Sequence, residues 1–108
     1  MNLPTEIFDD VIVVHTPEEL GSEQSDALTK CLTTLERKRV VLDIDNTETI
    51  DSEGLTALLD AQEVLRGENG DVKIAATNAN NRKIFEITRL DQQLEVFDSV
   101  VDAVKTFH

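Results

Sequence analysis

The sequence is poor in cysteine and in aromatic residues, which removes several classes of site. Cys31 is the single cysteine, and the aromatic residues are four phenylalanines, with no tryptophan or tyrosine. One cysteine cannot form a disulfide within the chain and disfavours a cysteine-based metal site. We therefore expect Cys31 to be a small, buried, apolar residue on a helix. The stacking surfaces of single-strand nucleic-acid binders are missing. Because aromatic residues are so few, the core must consist mainly of valine, leucine, isoleucine and alanine.

Positive charge is also scarce. Ten Lys and Arg residues stand against 22 Asp and Glu residues, which leaves a formal net charge of -12. Such a surface repels nucleic acid and anionic lipid headgroups, and we expect neither as a partner. Apolar runs such as Val11–Val14 fall far short of the roughly 20 residues of a membrane span, and residues 1–6 lack a signal-peptide pattern. The sequence therefore predicts a cytoplasmic protein without membrane insertion.

The length and the hydrophobic pattern predict one α/β domain over residues 1–108. A chain of 108 residues suits a single core. Runs rich in β-branched residues alternate with apolar positions spaced three and four apart, as in an α/β sandwich with right-handed crossovers between parallel strands. The predicted strands are 11–14, 40–44, 72–76 and 94–97, and the predicted helices are 22–36, 55–67, 80–87 and a last helix capped by Ser99.

Several local features follow from residue type. The strand 11–14 either follows a turn or forms the second arm of a short hairpin. The strand 40–44 is apolar enough to be buried on both faces. Ser22 is predicted to cap the first helix, and the basic triplet Arg37–Arg39 is expected to complement the dipole at its end.

The densest acidic segment follows the strand 40–44. Between residues 43 and 53 there are five acids and no base: Asp43, Asp45, Glu48, Asp51 and Glu53. In open α/β sheets, sites usually lie beyond the carboxyl ends of strands. One interpretation starts from Asp43–Thr47, which resembles the nucleophile motif of magnesium-dependent phosphohydrolases of the haloacid dehalogenase type. Thr77 and Lys83 resemble its next two motifs, but the acidic pair that completes the metal site has no counterpart.

A second interpretation covers nearly the whole chain. The apolar strand Val40–Ile44 is followed, after a polar spacer, by Ile50–Leu55, which reads I-D-S-E-G-L. This resembles the signature of STAS domains, the family of bacterial anti-sigma factor antagonists and sulfate-transporter tails. The resemblance extends back to Glu18–Gly21 and forward to Leu94–Val104. It implies an α/β STAS-type sandwich, with a four- to five-stranded mixed β-sheet and helices packed mainly on one face.

The resemblance also implies a protein-interaction module and not an enzyme. Members of the antagonist type bind an anti-sigma factor, a serine kinase of the histidine-kinase-like ATP fold, and phosphorylation of a hydroxyl residue in the signature segment releases them. An alternative partner is the ATPase of a lipid transporter, which a small STAS subunit regulates. Carried onto this sequence, the partner-binding residues are expected to be Asp51, Ser52, Glu53, Gly54, Leu55 and Glu19.

Glu53 is the main departure from the family pattern. It stands at the second hydroxyl position, just before the glycine, and it cannot be phosphorylated. Its carboxylate either places a fixed negative charge where the family places a switchable one, or only complements the helix dipole. Ser52 is either a second candidate phosphorylation site or a helix N-cap. Asp51 is expected either to cap the helix or to contact the partner, and the sequence does not decide between these two roles.

The remaining expectations are modest. His15 and His108 are far apart in sequence, and we expect His15 to be a surface residue at a strand end. No metal-ligand spacing or phosphate-binding glycine loop is present, so no metal and no cofactor are predicted. We expect a monomer or a weak dimer.

Overall fold

The computed structural model describes residues 3–107, so Met1, Asn2 and His108 lie outside the description that follows. Its strands are β1 (Thr5–Phe8), β2 (Val11–His15), β3 (Glu19–Leu20), β4 (Arg39–Asp43), β5 (Thr49–Ile50), β6 (Asp71–Ala75) and β7 (Val96–Phe97). Its α-helices are α1 (Ser22–Thr33), α2 (Ser52–Gly67), α3 (Ala79–Ile87) and α4 (Val100–Lys105), and a 3-10 turn spans Leu90–Gln92.

Within residues 3–107, the main sheet has five strands in the order β1-β2-β4-β6-β7. Strands β2, β4, β6 and β7 are parallel, and β1 pairs antiparallel with β2. A two-residue turn at Asp9–Asp10 joins β1 to β2. Strand β2 is therefore the second arm of a short hairpin, which was one of the two predicted alternatives. The mixed sheet that the STAS resemblance implies is confirmed.

Helices cover both faces of this sheet unequally. On one face, Ile12 of β2 and Leu42 of β4 belong to the larger core, which α1, α2 and α3 complete. On the other face, Val13 and Val41 pack against α4 around Ala103. Because successive side chains of a strand point to opposite faces, the apolar runs of β2 and β4 serve both cores. The predicted burial of β4 on both faces is therefore confirmed. The prediction that the helices pack mainly on one face of the sheet is confirmed as well.

The start and end of α1 differ from the prediction. Gly21 is the N-cap and Ser22 is already helical; the Gln24 side chain accepts a hydrogen bond from the Gly21 N–H, at 3.0 Å. The helix ends at Thr33, so the basic triplet is not in its last turn. Of the triplet, Lys38 still reaches the end of α1, where its ammonium donates to the Thr33 carbonyl at 3.3 Å.

Other sequence expectations also need correction. Arg39 lies in β4 and forms an ion pair with Asp10, in the hairpin turn, at 2.7 Å. It therefore does not complement the dipole at the end of α1, as was expected. Strand β7 is limited to Val96–Phe97, because Leu94 turns into the core and its N–H donates to the Leu90 carbonyl at 2.7 Å. Cys31 is half-buried on α1 instead of buried. None of the helices within residues 3–107 is long and apolar enough to cross a bilayer.

His15 lies at the end of β2, as expected, but it is partly buried and joins three strands. Its Nε2 lies 2.7 Å from Glu6 Oε1 on β1, and its Nδ1 lies 2.9 Å from Asp43 Oδ2 on β4. The hydrogen bond to Glu6, assisted by the negative charge of Asp43, raises the pKa of His15, although partial burial opposes the shift. A neutral imidazole carries one ring proton and can donate to only one of these carboxylates.

This link predicts a pH-dependent contribution of His15 to stability. A raised pKa in the folded state contributes stability that is complete below the usual value of 6.5 and is lost as the pH rises through the raised pKa. We expect His15→Gln to lower the free energy of unfolding by about 0.2 to 1 kcal/mol near pH 6 and by less near pH 9, measured by urea unfolding. In a Glu6→Gln background the pH dependence should shrink. A loss that is the same at all pH values would contradict this prediction.

Candidate functional site

The signature segment folds into a junction between β3, α1 and α2. Strands β3 and β5 form a two-stranded parallel sheet, in which Leu20 is the partner of Ile50. The ladder is continued by the Asp51 N–H, which donates to the Leu20 carbonyl at 3.1 Å. This pairing places Glu18–Gly21 directly beside the start of α2, and thereby brings Glu19 to the same end of the molecule as the signature segment.

The Asp51 carboxylate holds the N-termini of two helices together. Its Oδ1 accepts hydrogen bonds from the N–H groups of Glu53 and Gly54, both at 3.0 Å, which makes Asp51 the N-cap of α2. Its Oδ2 accepts from the N–H of Ser22, the first residue of α1, at 3.3 Å. Both helix starts carry partial positive charge, so one carboxylate stabilises both. Asp51 is therefore a cap, and Ser52 is not.

Gly54 and Leu55 support the junction from beneath. A Cβ atom on Gly54 would lie only 2.2 Å from the Leu20 carbonyl oxygen, so only glycine lets α2 approach β3 this closely. Leu55 belongs to the larger core and is 7% exposed. The expectation that both residues contact a partner stays a prediction, although Gly54 is buried and the side chain of Leu55 packs in the core.

The exposed part of the segment consists of Asp51, Ser52 and Glu53, with Glu19 nearby on β3. The Ser52 hydroxyl has no hydrogen-bond partner among residues 3–107, whereas its carbonyl accepts from the Thr56 hydroxyl at 2.9 Å. Glu53 is the first acid of α2 and lies within its first turn. Its carboxylate is thus placed to complement the helix dipole, and it is open to solvent.

A groove between α1 and α2 runs away from this segment. It encloses about 230 Å³ and is lined by Ser25, Asp26, Thr29, Glu53, Thr56, Ala57 and Asp60. Three of these residues are acids, and no lysine or arginine is among them. Sequence reasoning missed Asp26 and Asp60, because each is an ordinary exposed polar position on its own helix. Only the packing of α1 against α2 places them beside Glu53.

Two other acids of the segment 43–53, Asp43 and Asp45, are bound elsewhere. Asp43 binds His15, and Asp45 is held by the loop after β6: its carboxylate accepts from the Thr77 N–H at 2.8 Å, the Thr77 hydroxyl at 2.6 Å and the Asn78 N–H at 3.2 Å. Burial alone would raise the pKa of Asp45, but these hydrogen bonds hold it below its usual value. Within residues 3–107, no three His, Cys, Asp or Glu side chains are grouped as metal ligands.

The double role of Asp51 can be separated by two substitutions. Asparagine keeps one side-chain oxygen for the cap of α2 but offers a donor where Oδ2 accepts from Ser22. We expect Asp51→Ala to lower the free energy of unfolding by about 1 to 2 kcal/mol and Asp51→Asn by clearly less than that. Urea unfolding of the two variants measures the difference. An equal loss in both would show that the oxygen retained by asparagine contributes nothing to the cap.

Solved structures with the same fold were found for nearly the whole chain. An anti-sigma factor antagonist from Mycobacterium paratuberculosis shares 24% identity, with a TM-score of 0.83 over 97% of this chain and 92% of its own. A sulfate transporter family protein from Wolinella succinogenes shares 18%, with a TM-score of 0.79 over 94% and 87%. The Bacillus anti-sigma factor antagonist SpoIIAA, in its unphosphorylated form, shares 14%, with a TM-score of 0.70 over 97% and 96%. At these identities the likeness concerns the fold alone.

A family model provides the evidence that these structures do not. By sequence, the chain matches no curated protein. The model of the STAS domain, however, matches residues 2–103, which include the whole junction around Asp51 and both helices that line the groove. The expectation drawn from the I-D-S-E-G-L segment is thereby confirmed: the chain belongs to the STAS domain family.

Proposed function

We propose that this chain is a non-enzymatic interaction module of the anti-sigma factor antagonist type, acting in partner switching. Its docking surface is the exposed start of α2, comprising Asp51, Ser52 and Glu53, together with Glu19 on β3. The observation that carries the proposal is the Asp51 carboxylate, which ties both helix starts and holds Ser52 and Glu53 outward on a rigid frame. A preorganised segment loses little conformational entropy when a partner binds.

The partner that we propose is an anti-sigma factor, a serine kinase of the histidine-kinase-like ATP fold. The STAS family membership supports this class of partner, and the exposure of Ser52 and Glu53 supports the accessibility of the segment. A kinase must reach the residue that it modifies, so an acceptor position has to lie on an exposed backbone. The start of α2 meets that requirement because its cap is made by Asp51 and leaves the next two side chains free of the core.

Glu53 acts in this proposal as a fixed charge at the acceptor position. A phosphate at this place would add nearly two negative charges to the first turn of α2. Glu53 supplies one charge permanently, beside Asp26 and Asp60 in the groove. A carboxylate that must be desolvated on docking without a matching cation weakens binding. The protein would then be held in a state similar to the phosphorylated, released one.

Substitution of Glu53 tests this proposal directly. We expect Glu53→Ser to become phosphorylated by the cognate kinase in the presence of ATP and to bind that kinase about tenfold more tightly before phosphorylation, a difference of about 1.4 kcal/mol. Tagged wild type and variant are used to capture proteins from the native cell extract, and mass spectrometry identifies the partner and the phosphate. Affinity is then measured by calorimetry with the purified kinase.

The matched control lies on the same helix. Glu63 is also an exposed acid of α2, but it is far from the junction, so Glu63→Ser changes the charge equally and should gain neither phosphate nor affinity. Equal binding by wild type, Glu53→Ser and Glu53→Ala would leave Glu53 as a helix-dipole residue only. Capture of a transporter ATPase would favour the alternative partner. Phosphate on the wild type that is lost in Ser52→Ala would move the acceptor to Ser52.

The absence of enzymatic activity is a separate prediction. We expect no hydrolysis of p-nitrophenyl phosphate with Mg²⁺ above the rate of the buffer, because both oxygens of Asp45 already accept hydrogen bonds from the Thr77–Asn78 loop. Asp43→Asn is the control for contaminating phosphatase, since it removes the acid that aligns with the nucleophile of phosphohydrolases. Turnover that Asp43→Asn abolishes would contradict this prediction and restore the enzyme interpretation.

A further inference from the structure

Strand β1 forms an open edge of the main sheet. It is the terminal strand in the order β1-β2-β4-β6-β7, and all four of its residues, Thr5–Phe8, are exposed. No strand lies beyond it within residues 3–107. Natural edge strands are commonly protected by charged side chains, proline or a bulge. Strand β1 has one charged side chain, Glu6, contains no lysine or proline, and pairs with β2 without a bulge. The edge is therefore suited to accept another strand.

The hydrogen-bond pattern shows which backbone groups are available. Residues of an antiparallel pair alternate between hydrogen-bonded and non-hydrogen-bonded positions. The N–H of His15 donates to the Pro4 carbonyl at 3.0 Å, and Phe8 faces Val11 across the two-residue turn, which sets the alternation. Thr5 and Ile7 then occupy non-hydrogen-bonded positions. Their N–H and C=O groups point away from β2, toward the space beyond the edge.

Apolar surface lies beside these backbone groups. Ile7 is 54% exposed, Phe8 is 44% exposed and Val101 of α4 is 59% exposed. A groove of about 350 Å³ separates Phe8 from α4 and is lined by Phe8, Asp9, Val100, Val101, Val104 and Lys105. The edge thus combines free main-chain donors and acceptors with apolar side chains, the combination by which a sheet edge binds an added strand.

A second copy of this chain can meet the edge without conflict in the register centred on Ile7. A two-fold axis perpendicular to the sheet keeps each face on its own side, so residues of the same face must oppose each other. Centring the axis on Glu6 would place two carboxylates directly opposite, which is destabilising. Centring it on Ile7 lets the two Ile7 residues exchange both backbone hydrogen bonds and brings their side chains into contact.

The Ile7 register also gives charge complementarity. It places Glu6 of the second copy opposite Phe8, on the α4 side of the sheet. Phe8 lines the groove together with Lys105, an exposed cation on α4. We propose that two copies of this chain dimerise through antiparallel pairing of their β1 strands about Ile7, with Lys105 of each copy beside Glu6 of the other. This surface is separate from the docking surface at the start of α2.

Sedimentation equilibrium tests the proposal. The wild type, from about 10 µM to about 1 mM in roughly 0.15 M salt, is expected to shift from the monomer mass of 12.0 kDa toward twice that value. Ile7→Pro removes the N–H that β1 does not give to β2, and proline is tolerated on an edge strand. It should weaken dimerisation at least tenfold while circular dichroism and urea unfolding stay close to wild type.

Two further variants keep the test decisive. Ile7→Lys blocks the edge by charge if Ile7→Pro should fail to fold, and it should weaken the dimer similarly. Ile87→Lys is the matched control, because Ile87 is an exposed isoleucine of α3, 78% exposed and on a helix that does not line this groove. It should dimerise as the wild type does. A wild type that stays monomeric throughout, or a dimer that neither Ile7 variant weakens, would overturn the proposal.

Discussion

The contact between the start of α2 and strand β3 organises the end of the molecule that carries the signature segment. Asp51 makes this contact through its N–H, which donates to the Leu20 carbonyl, and its carboxylate binds the starts of both α1 and α2. Gly54 makes it sterically feasible, since a Cβ atom at this position would collide with the same carbonyl. Loss of the Asp51 cap would therefore destabilise the start of α2, and a side chain at position 54 would push α2 away from β3.

Charge is distributed unevenly around this junction. At the amino ends of β4 and β6, cations are paired: Arg39 with Asp10, Lys38 with Glu68 and Arg66 with Asp71. The groove at the start of α2 has three acids and no basic lining residue. Part of the excess negative charge therefore lies unpaired by lining cations beside the family signature. A charge added or removed at residue 53 acts on a surface that is already acidic, which is why this position is so informative for the proposed switching mechanism.

Much of the fold could be predicted because its elements carry strong local patterns. Both β-branched runs, 11–14 and 40–44, are strands, and the I-D-S-E-G-L segment does open a helix. Errors arose where a residue's partner is distant in sequence. Ser22 was a reasonable cap by type, but the cap position falls on Gly21 because Gln24 and Asp51 satisfy the helix start. The ion pairs of His15 could not be predicted, because its partners Glu6 and Asp43 lie on two other strands.

The sequence by itself determined the element types, the family and the departure at Glu53, because these depend on side-chain periodicity and on a contiguous motif. Tertiary structure alone decided which acids become neighbours. Asp26 and Asp60 join Glu53 only through the packing of α1 against α2, whereas Asp43 and Asp45, close in sequence to Glu53, are drawn away by His15 and by Thr77. The physical reason is that a groove is formed by the surfaces of different helices and strands. The distance between two residues along the sequence does not determine whether they become neighbours when these surfaces pack.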